Sequence, residues 1–178
     1  GAAFEKVRDG ELDVAFYYGN LVHPAVAALP LRELAFRIVV PAAWAGRLAN
    51  ADWNAIAAEP WLTTPPISTH HALATELFAA HGIEPTRQVV ADHEAVISSL
   101  VAAGLGVALM REDTALADAA AGRLAIWGDT RLWTHLQFLF RRDRENDPAI
   151  HAVRDVVADV WARAANVHAT SPEARRAA

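Results

Sequence analysis

The stretch VVADHEAVISSLVAAGLGVALMR, residues 89–111, decides the architecture, because it writes a strand, a capped helix, a glycine turn and a second strand without interruption. Val89 and Val90 are β-branched and suit an extended segment, whereas Val96, Ile97, Leu100 and Val101 recur at helical spacing. Asp92 stands where a side-chain oxygen caps the first amides of a helix. Gly104 is the expected stop, since glycine takes the left-handed conformation without a Cβ clash. Gly106 is expected to let the returning strand, Leu105 to Met110, pack closely against the helix. Such a unit sets the helix N-terminus at the end of a parallel sheet. Aligned backbone amides there favour an anionic or hydrogen-bond-accepting guest.

Working upstream, Trp61 to Thr63 reads as a strand and Thr64-Pro-Pro-Ile-Ser-Thr as a rigid loop, followed by a helix from about His70 to His81 that Gly82 ends. Pro85 and Thr86 restart the chain. Residues 61 to 110 therefore alternate strand, helix, strand, helix, strand, the pattern of a parallel sheet with helices on its faces. Farther back, residues 2 to 9 read as the end of a helix with Phe4 and Val7 inward, closed by Gly10. Leu12 to Tyr17 reads as a buried strand, and Gly19-Asn20 as a turn. Ala25 to Arg32 and Ala35 to Val40 read as two extended stretches around Pro30, and Trp44, Leu48, Trp53 and Ile56 punctuate short helical pieces.

Downstream, residues 111 to 122 are alanine-rich and helical, Leu124 to Trp127 is short and extended, and Trp133 to Arg141 is an apolar run long enough to pass between two lobes. Pro148 opens a last helix whose Ile150, Val153, Val157, Val160 and Trp161 are expected on one face. From about Asn166 the composition turns polar, and that tail is the candidate for disorder.

The bulk properties narrow the function. A chain of 178 residues with 53% hydrophobic content can bury a core as one domain or two small lobes. A net charge of −5, with no Lys/Arg cluster before the tail, argues against a nucleic-acid-binding surface on this chain. There is no cysteine, hence no disulfide framework or thiolate chemistry, and no run reaches the roughly 18 apolar residues of a membrane span. No signal peptide opens the sequence, so a cytoplasmic location is expected. Nothing resembles a GxSxG elbow, a P-loop or a paired-carboxylate site.

RDGELDVAF at 8–16, the extended stretch ending at Pro41, HGIEPTRQVV at 81–90 and LVAAGLGVALM at 100–110 together resemble the effector-binding domain of LysR-type transcriptional regulators, over nearly the whole chain. The resemblance implies an α/β fold of the type 2 periplasmic-binding-protein kind, with two lobes joined by two crossover strands. It divides the chain into an incomplete first lobe, 1–39 with 136–165, a second lobe, 40–135, and a tail, 166–178. It implies a small-molecule effector between the lobes, no catalysis, no cofactor, homodimers or homotetramers, and DNA contact only through an N-terminal winged helix-turn-helix absent from this sequence. The opening strand, helix and strand of the first lobe are also missing, since residues 1–10 match the family's second helix. That leaves an edge expected to expose apolar surface and unpaired backbone groups. Met110 departs from the pattern, because many relatives place a proline after this strand. A solute-binding protein of a transporter, which shares the fold, is the alternative.

In that family, effectors meet sheet ends and helix N-termini, which points here to Tyr18, Gly19, Thr64, Ser68, Thr69, His93 and Glu94. The residues alone leave each open. Thr64, Ser68 and Thr69 are hydroxyls that either cap a helix or share its amides with a carboxylate. His93 could donate a hydrogen bond and titrate, yet a solvated helix start explains it equally. Of Tyr17 and Tyr18, one should face a ligand and the other the core. The pair His70-His71 invites a metal, but neighbours on a helix point about 100° apart and grip one ion poorly, so no metal site is expected. The lean is toward a small carboxylate or aromatic guest, because these segments carry no Lys or Arg.

Overall fold

In the computed structural model, which describes residues 2–66, 68–91 and 93–169, the chain begins with α1 (Ala2–Arg8), β1 (Val14–Tyr18) and β2 (Val26–Pro41). A single 3-10 turn leads into α2 (Ala45–Leu48) and α3 (Trp53–Ala58). The alternating region follows as β3 (Trp61–Thr63), α4 (Thr69–His81), β4 (Gln88–Val90), α5 (Glu94–Ala102) and β5 (Val107–Arg111). Then come α6 (Glu112–Ala120), β6 (Leu124–Arg141) and, after a second 3-10 turn, α7 (Pro148–Ala169). The chain falls into two units, Gly1–Glu33 with Thr134–Ala178, and Leu34–Trp133. Of the tail expected from 166, residues 166–169 continue α7, and the remainder from 170, like the expected Asp92 cap, lies outside the described residues.

The second unit is built on a sheet in the order β2, β5, β3, β4. β3 runs parallel to β4, pairing Trp61 with Gln88 and Thr63 with Val90, and parallel to β5, pairing Leu62 with Ala108. β5 meets β2 antiparallel, with Phe36 opposite Arg111 and Val39 opposite Ala108. One face is closed by α5, whose Ile97 and Val101 have no exposed surface and pack with Val39, Leu62, Ala108 and Met110. Each such side chain contributes about 1.5–3 kcal/mol on burial. α5 ends at Gly104, whose φ of 84° is the left-handed stop expected. β4 is an edge strand, and its Val89 and Val90 are half exposed.

Gly106 serves a different neighbour from the one expected. A Cβ there would lie 2.5 Å from the carbonyl oxygen of Pro60, so the close approach is between two strands rather than between strand and helix. Caps follow side-chain chemistry: Asp52 accepts from the amide of Ala55 at 2.8 Å to start α3, and Ser68 accepts from the amide of His71 at 3.1 Å to start α4. At the start of α5 the N-cap position is His93, with no side-chain cap.

In the first unit β1 pairs antiparallel with β6, from Val14 opposite Phe140 to Tyr18 opposite Leu136, and β6 neighbours β2. α1 covers one face through Val7 against Val26 and Leu139, with Phe4, Ala15 and Tyr17 packed around them. α7 covers the other through Ile150 and Val157 against Phe138 and Phe140. Here three expectations are corrected. β1 is not buried, because it lies at the edge of the sheet and leaves Phe16 half exposed. The stretches around Pro30 are one 16-residue strand, and those at 124–127 and 133–141 are one 18-residue strand. Proline's φ is compatible with extended backbone and costs one donor only, so a strand can run through it where that donor has no partner. On α7, Val153 and Val160 are exposed rather than inward, since the buried stripe is centred on Ile150 and Val157.

Candidate functional site

The carboxyl ends of the parallel strands β3 and β5 carry a cluster of hydrogen-bonded polar side chains. β3 delivers Thr63 and Thr64, both buried. Pro65 and Pro66 turn the chain stiffly into Ser68 and Thr69, which open α4. The helix then presents two consecutive imidazoles to the strand ends. His70 Nδ1 lies 3.2 Å from the Thr64 hydroxyl, and its Nε2 hydrogen-bonds the carbonyl of Leu109 on β5. His71 Nδ1 lies 3.1 Å from the carbonyl of Thr64. The hydroxyls of Thr64 and Ser68 are themselves hydrogen-bonded. The Thr63 hydroxyl, 1% exposed, has no partner among the described residues.

The proton positions follow from the acceptors. A carbonyl oxygen can only accept, so His70 carries hydrogen on Nε2 and His71 carries hydrogen on Nδ1. Burial pushes the His70 imidazole below its usual range and outweighs the bond to Leu109 and the nearby Glu94 carboxylate, which favour the charged form; His71 adds to the lowering. The carbonyl places hydrogen on Nε2, and the lowering favours the neutral Nε2–H tautomer of His70. Its ring also meets Phe36 edge-on at 5.7 Å between centroids, which fixes its tilt.

Glu94, in the first turn of α5, accepts the amide of Arg111 through Oε1 at 3.0 Å and so fastens the end of β5 to the start of that helix. His93 beside it is exposed. Thr64, Ser68 and Glu94 are thus held in place by named partners. A groove of about 450 Å³ runs along α4 from His71 and Thr75 toward Gly82 and Gln88. Among the described residues, no group of three or more His, Cys, Asp or Glu could hold a metal ion.

Tyr18 and Gly19 belong to the first unit. Tyr17 packs into the α1 core, whereas Tyr18 is 44% exposed. Gly19 donates its amide to the carbonyl of His135 at 2.9 Å and has a φ of 145°; a Cβ there would meet the Tyr17 ring at 2.7 Å. Next to it, His135 Nδ1 donates to Asn20 Oδ1 at 2.6 Å.

His70 and His71 are residues that the sequence pattern does not single out, except as a poor metal pair. A hydroxyl and a histidine six positions apart across two prolines form no recognisable motif. Their roles emerge only once β3 and β5 lie side by side.

Against known proteins, the chain matches the family model described as LysR substrate binding domain over residues 1–162. The effector binding domain of QuiR in complex with shikimate superposes with a TM-score of 0.71 at 16% identity, covering 91% of this chain and 78% of that one. The Synechocystis CcmR regulatory domain in complex with 2-PG gives 0.68 at 13% identity, covering 89% and 77%. Full-length LysG from Corynebacterium glutamicum with bound effector Arg gives 0.67 at 16% identity, covering 89% of this chain and 54% of that one. No curated protein matches significantly. At these identities the solved structures establish the type 2 periplasmic-binding-protein fold, and the family match over residues 1–162 establishes descent: the chain belongs to the LysR substrate binding domain family.

Proposed function

We propose that this chain is the effector-binding regulatory domain of a LysR-type transcriptional regulator, binding a small molecule and thereby controlling DNA binding by the full-length protein. The observation that carries this reading is the set of hydroxyl, imidazole and carboxylate groups held at the carboxyl ends of β3 and β5, in a member of a family whose solved relatives include shikimate, 2-PG and Arg complexes. In the second unit the proposed contacts are Thr64, Ser68, Thr69, His93 and Glu94. In the first unit they are Tyr18 and Gly19. The domain acts by binding rather than catalysis, and its effector must prefer one conformation over another, because equal affinity for two states shifts no population.

Association into homodimers or homotetramers and a cytoplasmic location complete the proposal. No helix among the described residues is long and apolar enough to cross a membrane. Family membership favours a regulator over the solute-binding protein of a transporter. A thermal-shift screen of small carboxylates, amino acids and sugar phosphates tests the reading. A compound that stabilises the wild type, and stabilises Thr64→Val and His93→Ala tenfold more weakly in apparent Kd, supports it. Undiminished affinity in both variants overturns these site assignments.

A further inference from the structure

The hydrogen bonds around His70 form a chain with one permitted direction. Nε2–H donates to the carbonyl of Leu109, and the neutral ring leaves Nδ1 bare, an acceptor. The Thr64 hydroxyl, 3.2 Å away, therefore donates its single proton to Nδ1. The Thr64–Ser68 contact needs a hydrogen between its oxygens, and Thr64 has none left, so Ser68 supplies it. Ser68 in turn accepts from the amide of His71 at 3.1 Å. The reverse order would require hydrogens on both ring nitrogens, a partly buried imidazolium set against the desolvation that favours the neutral ring. Both hydroxyl protons are thus committed inside the protein, and what these oxygens offer outward is lone pairs.

We infer that His70 is a positioning residue that sets this polarity, so that the Thr64–Ser68 pair selects an effector whose facing group is itself a hydrogen-bond donor, a hydroxyl or an ammonium. The inference rests on the effector-site reading of this cluster. It reverses the role that residue types alone suggest, in which the hydroxyls would donate to a carboxylate. Besides the Thr64 hydroxyl and the Leu109 carbonyl of β5, the ring is faced by Glu94 from α5 and His71 on its own helix, which carry the titratable groups, and by the apolar Phe36 on β2. Discrimination arises because a keto oxygen set against two committed hydroxyls leaves three acceptors facing one another, whereas a hydroxyl or ammonium fills the gap.

Two measurements test it. Long-range ¹H–¹⁵N spectra of the labelled domain at pH 7, with His70 assigned by its loss in His70→Asn, should show the neutral Nε2–H tautomer. An Nδ1–H tautomer or an imidazolium overturns the inference, whatever the protein binds. Calorimetry with matched pairs, lactate and malate or alanine and aspartate against pyruvate and oxaloacetate, should then favour the donor-bearing member of any skeleton that binds by tenfold or more. Equal or tighter binding of the keto acid overturns it. His70→Phe should bring the ratio toward one, while His70→Asn, whose Oδ1 can still accept from Thr64, should retain it. Failure of every compound to bind counts against the effector-site reading instead, and the tautomer still decides the polarity.

Discussion

His70 donates its Nε2 hydrogen to the main-chain carbonyl of Leu109, 39 residues farther along the chain, and so ties the first turn of α4 to the end of β5. The bond exists only while β5 lies beside β3. It also makes the imidazole a reporter of the fold's response to pH.

Burial lowers the folded-state pKa of His70 below its ordinary value of 6.5. Between that value and the lower folded one, the unfolded chain binds more protons than the folded chain, so stability is full above about 6.5 and is lost as pH falls through the folded pKa. Chemical denaturation at pH 7.5 and 5 should show a smaller loss for His70→Phe than for the wild type. Equal losses would mean that His70 is not held neutral.

Thr64→Val keeps the side-chain shape but removes the proton that Nδ1 of His70 accepts and the acceptor of the Ser68 hydroxyl. Leaving such partly buried groups unpaired costs about 1 kcal/mol, the low end of the range for a lost partner. Urea midpoints should fall accordingly for Thr64→Val and stay near wild type for Thr64→Ser.

Gly106→Ala drives a Cβ to 2.5 Å from the Pro60 carbonyl oxygen, a contact that only backbone movement relieves. A loss of about 3 kcal/mol is expected. Gly122→Ala has open space around its Cβ and is strained only by a φ of 70°, at about 1 kcal/mol. Equal melting temperatures for the two variants would contradict the close β3–β5 approach.

The Asp118 carboxyl is held below its usual range, first by the Ser98 hydroxyl that donates to it and then by Arg123. A depressed carboxylate contributes stability that is present above its unfolded pKa of about 4 and lost as pH falls through the folded value. In Ser98→Ala the carboxyl should titrate closer to the ordinary value, as followed by its ¹³C shift. An unchanged titration would assign the depression to Arg123 alone.

Much of the second unit is legible in the order of its residues. Helical spacing at Val96, Ile97, Leu100 and Val101, with Gly104 to end it, reports a local balance of backbone freedom and one-sided burial, and such balances are written in adjacent residues. The long strands are less legible, because Pro30 reads as a break whether or not its missing donor would have had a partner. Only neighbouring strands settle that. The exposure of Phe16, Val153 and Val160 is likewise decided by which faces β1 and α7 find to cover.

The chain by itself determined the strand–helix alternation of residues 61 to 110 and the glycine stops, since these depend on local conformational preference and hydrophobic period, and with them the family resemblance. Tertiary structure alone decided the chemistry of the proposed site. Thr64, Ser68, His70 and Leu109 are separated in sequence by prolines, a helix and a strand, and their hydrogen bonds act over about 3 Å, so nothing in residue spacing could announce them. Packing β3 against β5 brought a carbonyl to a partly buried imidazole, and that contact places the hydrogen on His70 Nε2, the starting point of the donor order we infer for Thr64 and Ser68.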